Sequence, residues 1–195
     1  AFGSSDNKIH NNTIYTERGT GEGLLQAYLA CKRNHFYANT THCLDAEGAN
    51  VGNKYHIYTA IQCEDNHYER NTLLGRCSRA YAAIESTWDG TTTNPASRNF
   101  GLGTANDDYA GGPITGINLE ANVINGVSSA PAIFVSAMTN SGTSHEATNI
   151  KLIDNRIVGN AYSTQVEFDE HVPERIKSAE FTRNTFGSRL ASKFK

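Results

Sequence analysis

Apolar residues along this chain recur in pairs two positions apart, each pair closed by an asparagine and followed by another apolar residue. The full pattern is apolar, any, apolar, two residues, Asn, any, apolar. Five segments carry it: Leu29–Cys31–Asn34–Phe36, Ile61–Cys63–Asn66–Tyr68, Ile117–Leu119–Asn122–Ile124, Ile150–Leu152–Asn155–Ile157 and Ala179–Phe181–Asn184–Phe186. Ile9–Asn12–Ile14 is a weaker first copy. A further Asn follows five residues later in three copies, at Asn39, Asn71 and Asn160. Two apolar residues at period two predict a short strand with one buried face. An Asn tolerates the left-handed backbone of a sharp bend and can hydrogen-bond to nearby backbone. The next apolar residue then faces inward on a second strand.

Successive Asn residues of the pattern are 22, 32, 56, 33 and 29 positions apart. That range suits a rung of three short strands and three turns with loops of variable length. Helical and leucine-rich repeats require more uniform lengths and other signatures. The prediction is an all-β chain, a right-handed parallel β-helix with three strands per rung and about six rungs. Its asparagine ladder is Asn34, Asn66, Asn122, Asn155 and Asn184. Residues 1–195 form a single domain in this reading, with a long loop insertion at about 87–115. Cys31 and Cys63 occupy one position in consecutive copies, so they are expected to stack as two thiols rather than to form a disulfide. His35 and His67 are expected to stack on the outward side as solvated surface groups, with metal binding the lesser reading.

Composition narrows the picture without changing it. Seventeen glycines beside 4 prolines favour many turns between short strands over long helices. A net charge of −3 and a pI near 6.2 recommend neither a nucleic acid nor an anionic membrane as partner. No apolar run approaches the roughly 18 residues needed to cross a bilayer, so membrane insertion is not expected. No signal peptide is visible, and the chain begins at Ala1 rather than at a start methionine. A fragment of a longer chain, or a processed product, is the expectation. Four cysteines without a CxxC pair do not read as a disulfide framework, and no structural metal is expected. The ends of a β-helix expose backbone edges. AFGSSDN and RLASKFK are poor caps, so flanking sequence or a partner is expected to cover them.

The Asn positions resemble those of the pectin-lyase-like superfamily of parallel β-helices, whose signature is an inward asparagine ladder between two strands of each rung. The resemblance covers roughly residues 7 to 188 and rests on Asn34, Asn66, Asn122, Asn155 and Asn184. In character the chain is most similar to bacteriophage tailspikes and capsule depolymerases, with a short polar helix and little other shared motif. That resemblance implies a homotrimer on a virion tail or extracellular surface, acting on a capsule or O-antigen polysaccharide. The N-glycosylation sequons at Asn11 and Asn39 are then incidental. Fold alone does not establish function.

In that superfamily the outer surface of the strand after the Asn bend commonly lines the polysaccharide groove. Here the candidates are Leu44–Glu47, Ala82–Glu85, Ile133–Ser136 and Val166–Asp169, preceded by Leu25–Tyr28. Taking Leu44/Ala46, Ala82/Ile84, Ile133/Val135 and Val166/Phe168 as inward leaves Asp45, Glu47, Glu85, Phe134, Ser136, Glu167 and Asp169 outward. Glu47 and Glu85 then fall at equivalent positions on neighbouring rungs. Two close carboxylates cannot both ionise freely, and one raised acid beside an ionised partner is what glycoside hydrolysis uses. The candidate catalytic residues are therefore Glu47 and Glu85, assisted by Asp45 or Asp89. The candidate substrate-binding residues are Trp88, Arg79, Phe134, Glu167 and Asp169. The competing reading makes the acids solvated surface groups.

The loop between Ile84 and Ile117 leaves its rung just after Glu85 and carries Trp88, Asp89, Arg98, Phe100, Asp107, Asp108 and Tyr109. Aromatic rings beside carboxylates suit sugar faces. No GHG segment of polygalacturonases occurs; Arg175–Ile176–Lys177 and Asp107–Asp108 match short signatures of theirs out of context. A lyase would need calcium and an arginine base, for which Arg76 or Arg79 is available; otherwise no cofactor is expected. The leading expectation is a polysaccharide-degrading hydrolase. The alternatives are a lyase of the same fold, a glycan-binding adhesin, and a structural fibre segment.

Overall fold

Period-two pairs of apolar residues make short strands here, and polar bends carry the chain from one strand to the next. The computed structural model describes residues 3–16, 23–28, 30–43, 55–60, 62–75, 82–85, 113–125, 131–137, 139–140, 143–158, 165–170, 174–187 and 192–194. No helix occurs among them. Rung 1 comprises β1 (Lys8–His10), β2 (Thr13–Thr16) and β3 (Gly23–Tyr28). Rung 2 comprises β4 (His35–Tyr37), β5 (Thr40–Cys43) and β6 (Tyr55–Ala60). Rung 3 comprises β7 (His67–Glu69), β8 (Thr72–Gly75) and β9 (Ala82–Glu85). Rung 4 comprises β10 (Ile114–Thr115) and β11 (Asn118–Glu120) on one side, then β12 (Val123–Asn125) and β13 (Ile133–Ala137). A small antiparallel hairpin, β14 (Thr139–Asn140) with β15 (Thr143–Ser144), leads into rung 5. That rung comprises β16 (Ala147–Ile153), β17 (Arg156–Val158) and β18 (Val166–Glu170). Rung 6 comprises β19 (Ile176–Thr182), β20 (Thr185–Phe186) and β21 (Ser192–Phe194).

Equivalent strands of successive rungs pair in parallel, giving three sheets. The first runs through β1, β4, β7, β11, β16 and β19, the second from β2 to β20, and the third from β3 to β21. The chain is thus a parallel β-helix. Its core is the inside of the coil, filled by columns of like side chains. Phe36, Tyr68, Leu119 and Leu152 stack on the first sheet, with the Phe36 and Tyr68 rings 4.7 Å apart and nearly parallel. Leu73, Ile124 and Ile157 do the same on the second sheet, and Ile57, Ala82, Ile133 and Val166 on the third. Each large side chain so buried contributes roughly 1.5–3 kcal/mol.

The asparagines form two ladders, which corrects the single ladder predicted from sequence. One is Asn7, Asn34 and Asn66; the other is Asn12, Asn39, Asn71, Asn122, Asn155 and Asn184. In each, one Oδ1 accepts both the backbone N–H and the side-chain amide of the Asn one rung earlier, as Asn71 Oδ1 does from Asn39 at 3.0 Å each. The Nδ2 also donates back to a backbone carbonyl, as Asn71 does to Phe36. Asn34 and Asn66 therefore lie one corner before Asn122 in the coil, and Asn39 and Asn71 are its true equivalents. The error arises because both corners share one geometry. A residue at positive φ, such as Arg33, Asp65, Ala38 or Arg70, precedes each ladder Asn, so that residue and not the Asn takes the left-handed backbone. The short ladder then gives way to Ile117, Ile150 and Ala179, all in register.

Other expectations hold. The bridge between Lys32 and Glu64 puts Cys31 and Cys63 in register, both fully buried and unoxidised. Their thiols donate to the carbonyls of Tyr28 and Ala60. The hydrogen bond with Cys31 and burial both push the Cys63 thiol up from its ordinary range. Both should resist alkylation in the native protein and label fully only after unfolding, which peptide mass spectrometry reads site by site.

Surface ion pairs tie neighbouring rungs. Arg33 binds Asp6, Lys32 binds Glu64, Lys177 binds Glu146 and Arg183 binds Asp154, with contacts of 2.6–2.7 Å. In each case the hydrogen bond from the cation holds the carboxyl below its ordinary range. A carboxyl with a lowered folded pKa gives stability that is present above its unfolded value, about 4, and is lost as pH falls through the folded value. The melting temperature should hold down to about pH 5 and fall below about pH 4. Because all four pairs are exposed, about 0.5 M salt should flatten that dependence.

Candidate functional site

The third sheet carries the face on which sequence places the chemistry. Six of the residues predicted inward, Ala82, Ile84, Ile133, Val135, Val166 and Phe168, are in the core, while Leu44 and Ala46 lie outside the described residues. The expected stacking of Glu47 on Glu85 rests on a residue outside the described ones, and the described backbone partners of Glu85 are Ala60 and Ser136. The strand before β9 is β6, which sequence does not single out, and it aligns Ala60 with Glu85. On the next rung Ser136 aligns with Glu85, and Asp169 follows Ser136. Phe134 packs partly buried against a cluster of Tyr28, Tyr55, Tyr58 and Ala60, and aligns with Glu167. Glu167 is only 7% exposed, so it does not offer a free carboxylate to an open groove. Asp45, Glu47, Arg79, Trp88 and Asp89 lie outside the described residues. Ile114–Thr115, assigned by sequence to the loop insertion, form β10 and pair with β16. The tail, read as a poor plug, contributes β21 to the same sheet.

A denser cluster lies on the outer face of the first sheet. Strands β4, β7 and β11 are three residues long, with a buried central residue and two outward ones. The outward residues stack in two columns. One is Lys8, His35, His67, Asn118 and Lys151; the other is His10, Tyr37, Glu69, Glu120 and Ile153. His35 and His67 stack as predicted, with ring centroids 4.7 Å apart and planes within 2°. They are about a third exposed, at 31% and 30%, and are held in a hydrogen-bonded group rather than freely solvated. His35 Nε2 lies 2.9 Å from Glu69 Oε2, and His67 Nε2 lies 3.1 Å from Glu120 Oε2. An ionised carboxylate only accepts, so each imidazole donates in these bonds. Asn118 Nδ2 also donates to Glu120 Oε2, and Arg70 pairs with the other Glu69 oxygen at 3.0 Å. The row continues as rings: Tyr37 lies 4.5 Å from His35 and stacks on His10 at 4.6 Å.

Glu69 and Glu120 are direct partners on adjacent rungs, their backbones one strand spacing apart, about 4.8 Å. It is a stack of two acids of the kind that sequence expected on the third sheet. The signal that finds it is the long ladder. Each of these acids stands two residues before a ladder Asn, Glu69 before Asn71 and Glu120 before Asn122. Once Asn71 and Asn122 are aligned, the two acids fall together. Burial and the neighbouring His35 pull the His67 imidazole below its ordinary range, against the opposite pull of Glu120 and Glu69. His67 is therefore mostly neutral near pH 7.

No protein-family model, curated protein or solved structure matches the chain.

Proposed function

We propose that this protein is a polysaccharide-binding and polysaccharide-degrading β-helix of tailspike type, with the glycan lying across the outer face of the first sheet. One observation carries the reading: Glu69 and Glu120 stand in register on adjacent rungs, in a row of partly exposed rings. Flat rings accept sugar faces, while carboxylates, the Asn118 amide and imidazoles suit hydroxyls. One carboxyl, protonated, would donate to the leaving oxygen while the other acts as nucleophile or base. This reading extends to a homotrimer on a virion tail or extracellular surface, and light scattering measures the subunit number.

The test is incubation with a panel of capsule and O-antigen polysaccharides, following new reducing ends. Hydrolysis should release saturated oligosaccharides from at least one of them. Unsaturated products would transfer the reading to a lyase, and tight binding without product to an adhesin. Glu85→Gln serves as the counter-test: loss of cleavage there, with full activity in Glu69→Gln and Glu120→Gln, would move the site to the third sheet.

A further inference from the structure

The same face holds a donor set suited to a metal ion. His35, His67 and Glu69 each offer one ligand atom, and these three atoms lie within 4.8 Å of one another. We propose that His35, His67 and Glu69 bind a divalent transition-metal ion of the zinc type. Two imidazoles and one carboxylate are the donor set of many three-ligand zinc sites, which leave a fourth position for water or another group. Nitrogen donors select against calcium and magnesium, which take oxygen ligands.

The fold supplies the positions. His67 and Glu69 lie two apart on β7 and so share one face, and His35 is the direct neighbour of His67 on β4. Backbone positions on a packed coil are set by core and ladder, so only side-chain torsions need adjust. Zinc bonds of about 2.0–2.2 Å put tetrahedral ligand atoms about 3.4 Å apart. His35 and Glu69 already approach within 2.9 Å, and His67 needs to close by up to about 1.4 Å. Glu120, 3.1 Å from His67, is placed to orient that ring or to supply the fourth ligand. Arg70 opposes the ion by holding one Glu69 oxygen, so the ion competes with it for that carboxylate.

Metal binding does not depend on the glycan reading. Its consequence for cleavage does: an ion on Glu69 removes one member of the carboxylate pair, so zinc should inhibit hydrolysis.

Calorimetry with zinc chloride on the intact chain tests the site, in the absence of any glycan. One ion should bind per chain, at least ten-fold more weakly in His35→Ala and in His67→Ala and unchanged in His42→Ala. Cobalt(II) should give the intense visible bands of a four-coordinate site. Histidine side-chain NMR of the wild-type protein covers the case of unfolded variants: zinc should shift His35 and His67 and leave His42 and His145 in place. No saturable binding, or shifts confined to other histidines, would overturn the proposal. Zinc binding without any cleavage to inhibit would leave the metal site standing and remove the hydrolase reading alone.

Discussion

Asn122→Ala should destabilise the protein by about 3 kcal/mol or more, among the largest effects available from a single polar side chain. Asn122 is 1% exposed and sits at the middle of the long ladder. Its Oδ1 accepts the Asn71 backbone N–H at 2.9 Å and the Asn71 amide at 3.1 Å. Its Nδ2 donates to the Tyr68 carbonyl at 2.9 Å and to Asn155 Oδ1 at 3.0 Å. Alanine leaves groups on two neighbouring rungs without a partner in a site closed to water. Each such orphan costs about 1–3 kcal/mol. Asn122→Asp keeps the shape and the acceptor but loses the donor, and should fall on the destabilised side as well. Asn125→Ala, exposed on β12, should change stability by no more than about 0.5 kcal/mol. Urea unfolding of the three variants ranks them. A near-neutral Asn122→Ala would mean that the ladder decorates the coil without holding it.

Glu69→Gln and Glu120→Gln should each lower polysaccharide cleavage by about 10²–10⁴-fold, the range of a lost general acid or base. Glutamine keeps the volume and most hydrogen-bond geometry, so stability and glycan affinity should stay close to wild type. The loss should then fall on kcat with KM little changed. Unequal roles predict a further split. The variant that lacks the acid should keep activity on substrates with a good leaving group, while loss of the nucleophile or base affects all substrates alike. Equal wild-type turnover in both variants would refute this assignment of the pair.

Much of the scaffold is legible in the sequence because a β-helix repeats one local grammar. Pairs such as Ile150–Leu152 and Ile117–Leu119 mark strands of the first sheet, Ile124 and Ile157 mark the second, and Ile133/Val135 mark the third. The register is harder to read. Both ends of a three-residue strand carry the same bend, a left-handed residue followed by Asn, so Asn34 and Asn39 are interchangeable by local pattern. Only the distant partner distinguishes them, Asn66 for one and Asn71 for the other. Strand β6 lacks the signal altogether, because all six residues of YHIYTA are buried and no alternation remains. Strand β21 is too short and too basic to stand out in the tail.

The site follows the same logic. His35 and His67 are readable as stacked neighbours because both follow a short-ladder Asn. Glu69 and Glu120 are not, because aligning Asn66 with Asn122 displaces every outward residue by five. Sequence looks for carboxylates on adjacent rungs at Glu47 and Glu85 of the third sheet, where Glu47 lies outside the described residues, and does not look on the first sheet. One register error accounts for the missed acids.

That register is also where the account is most directly tested. Cross-strand nuclear Overhauser contacts between β7 and β11 report it residue by residue. The fold predicts contacts of Tyr68 with Leu119 and of Glu69 with Glu120, together with a protected Arg70 amide bonded to the Glu120 carbonyl. Contacts linking Glu69 to Asn125 instead, as stacking of Asn66 on Asn122 would require, would contradict the two ladders and separate the carboxylate pair.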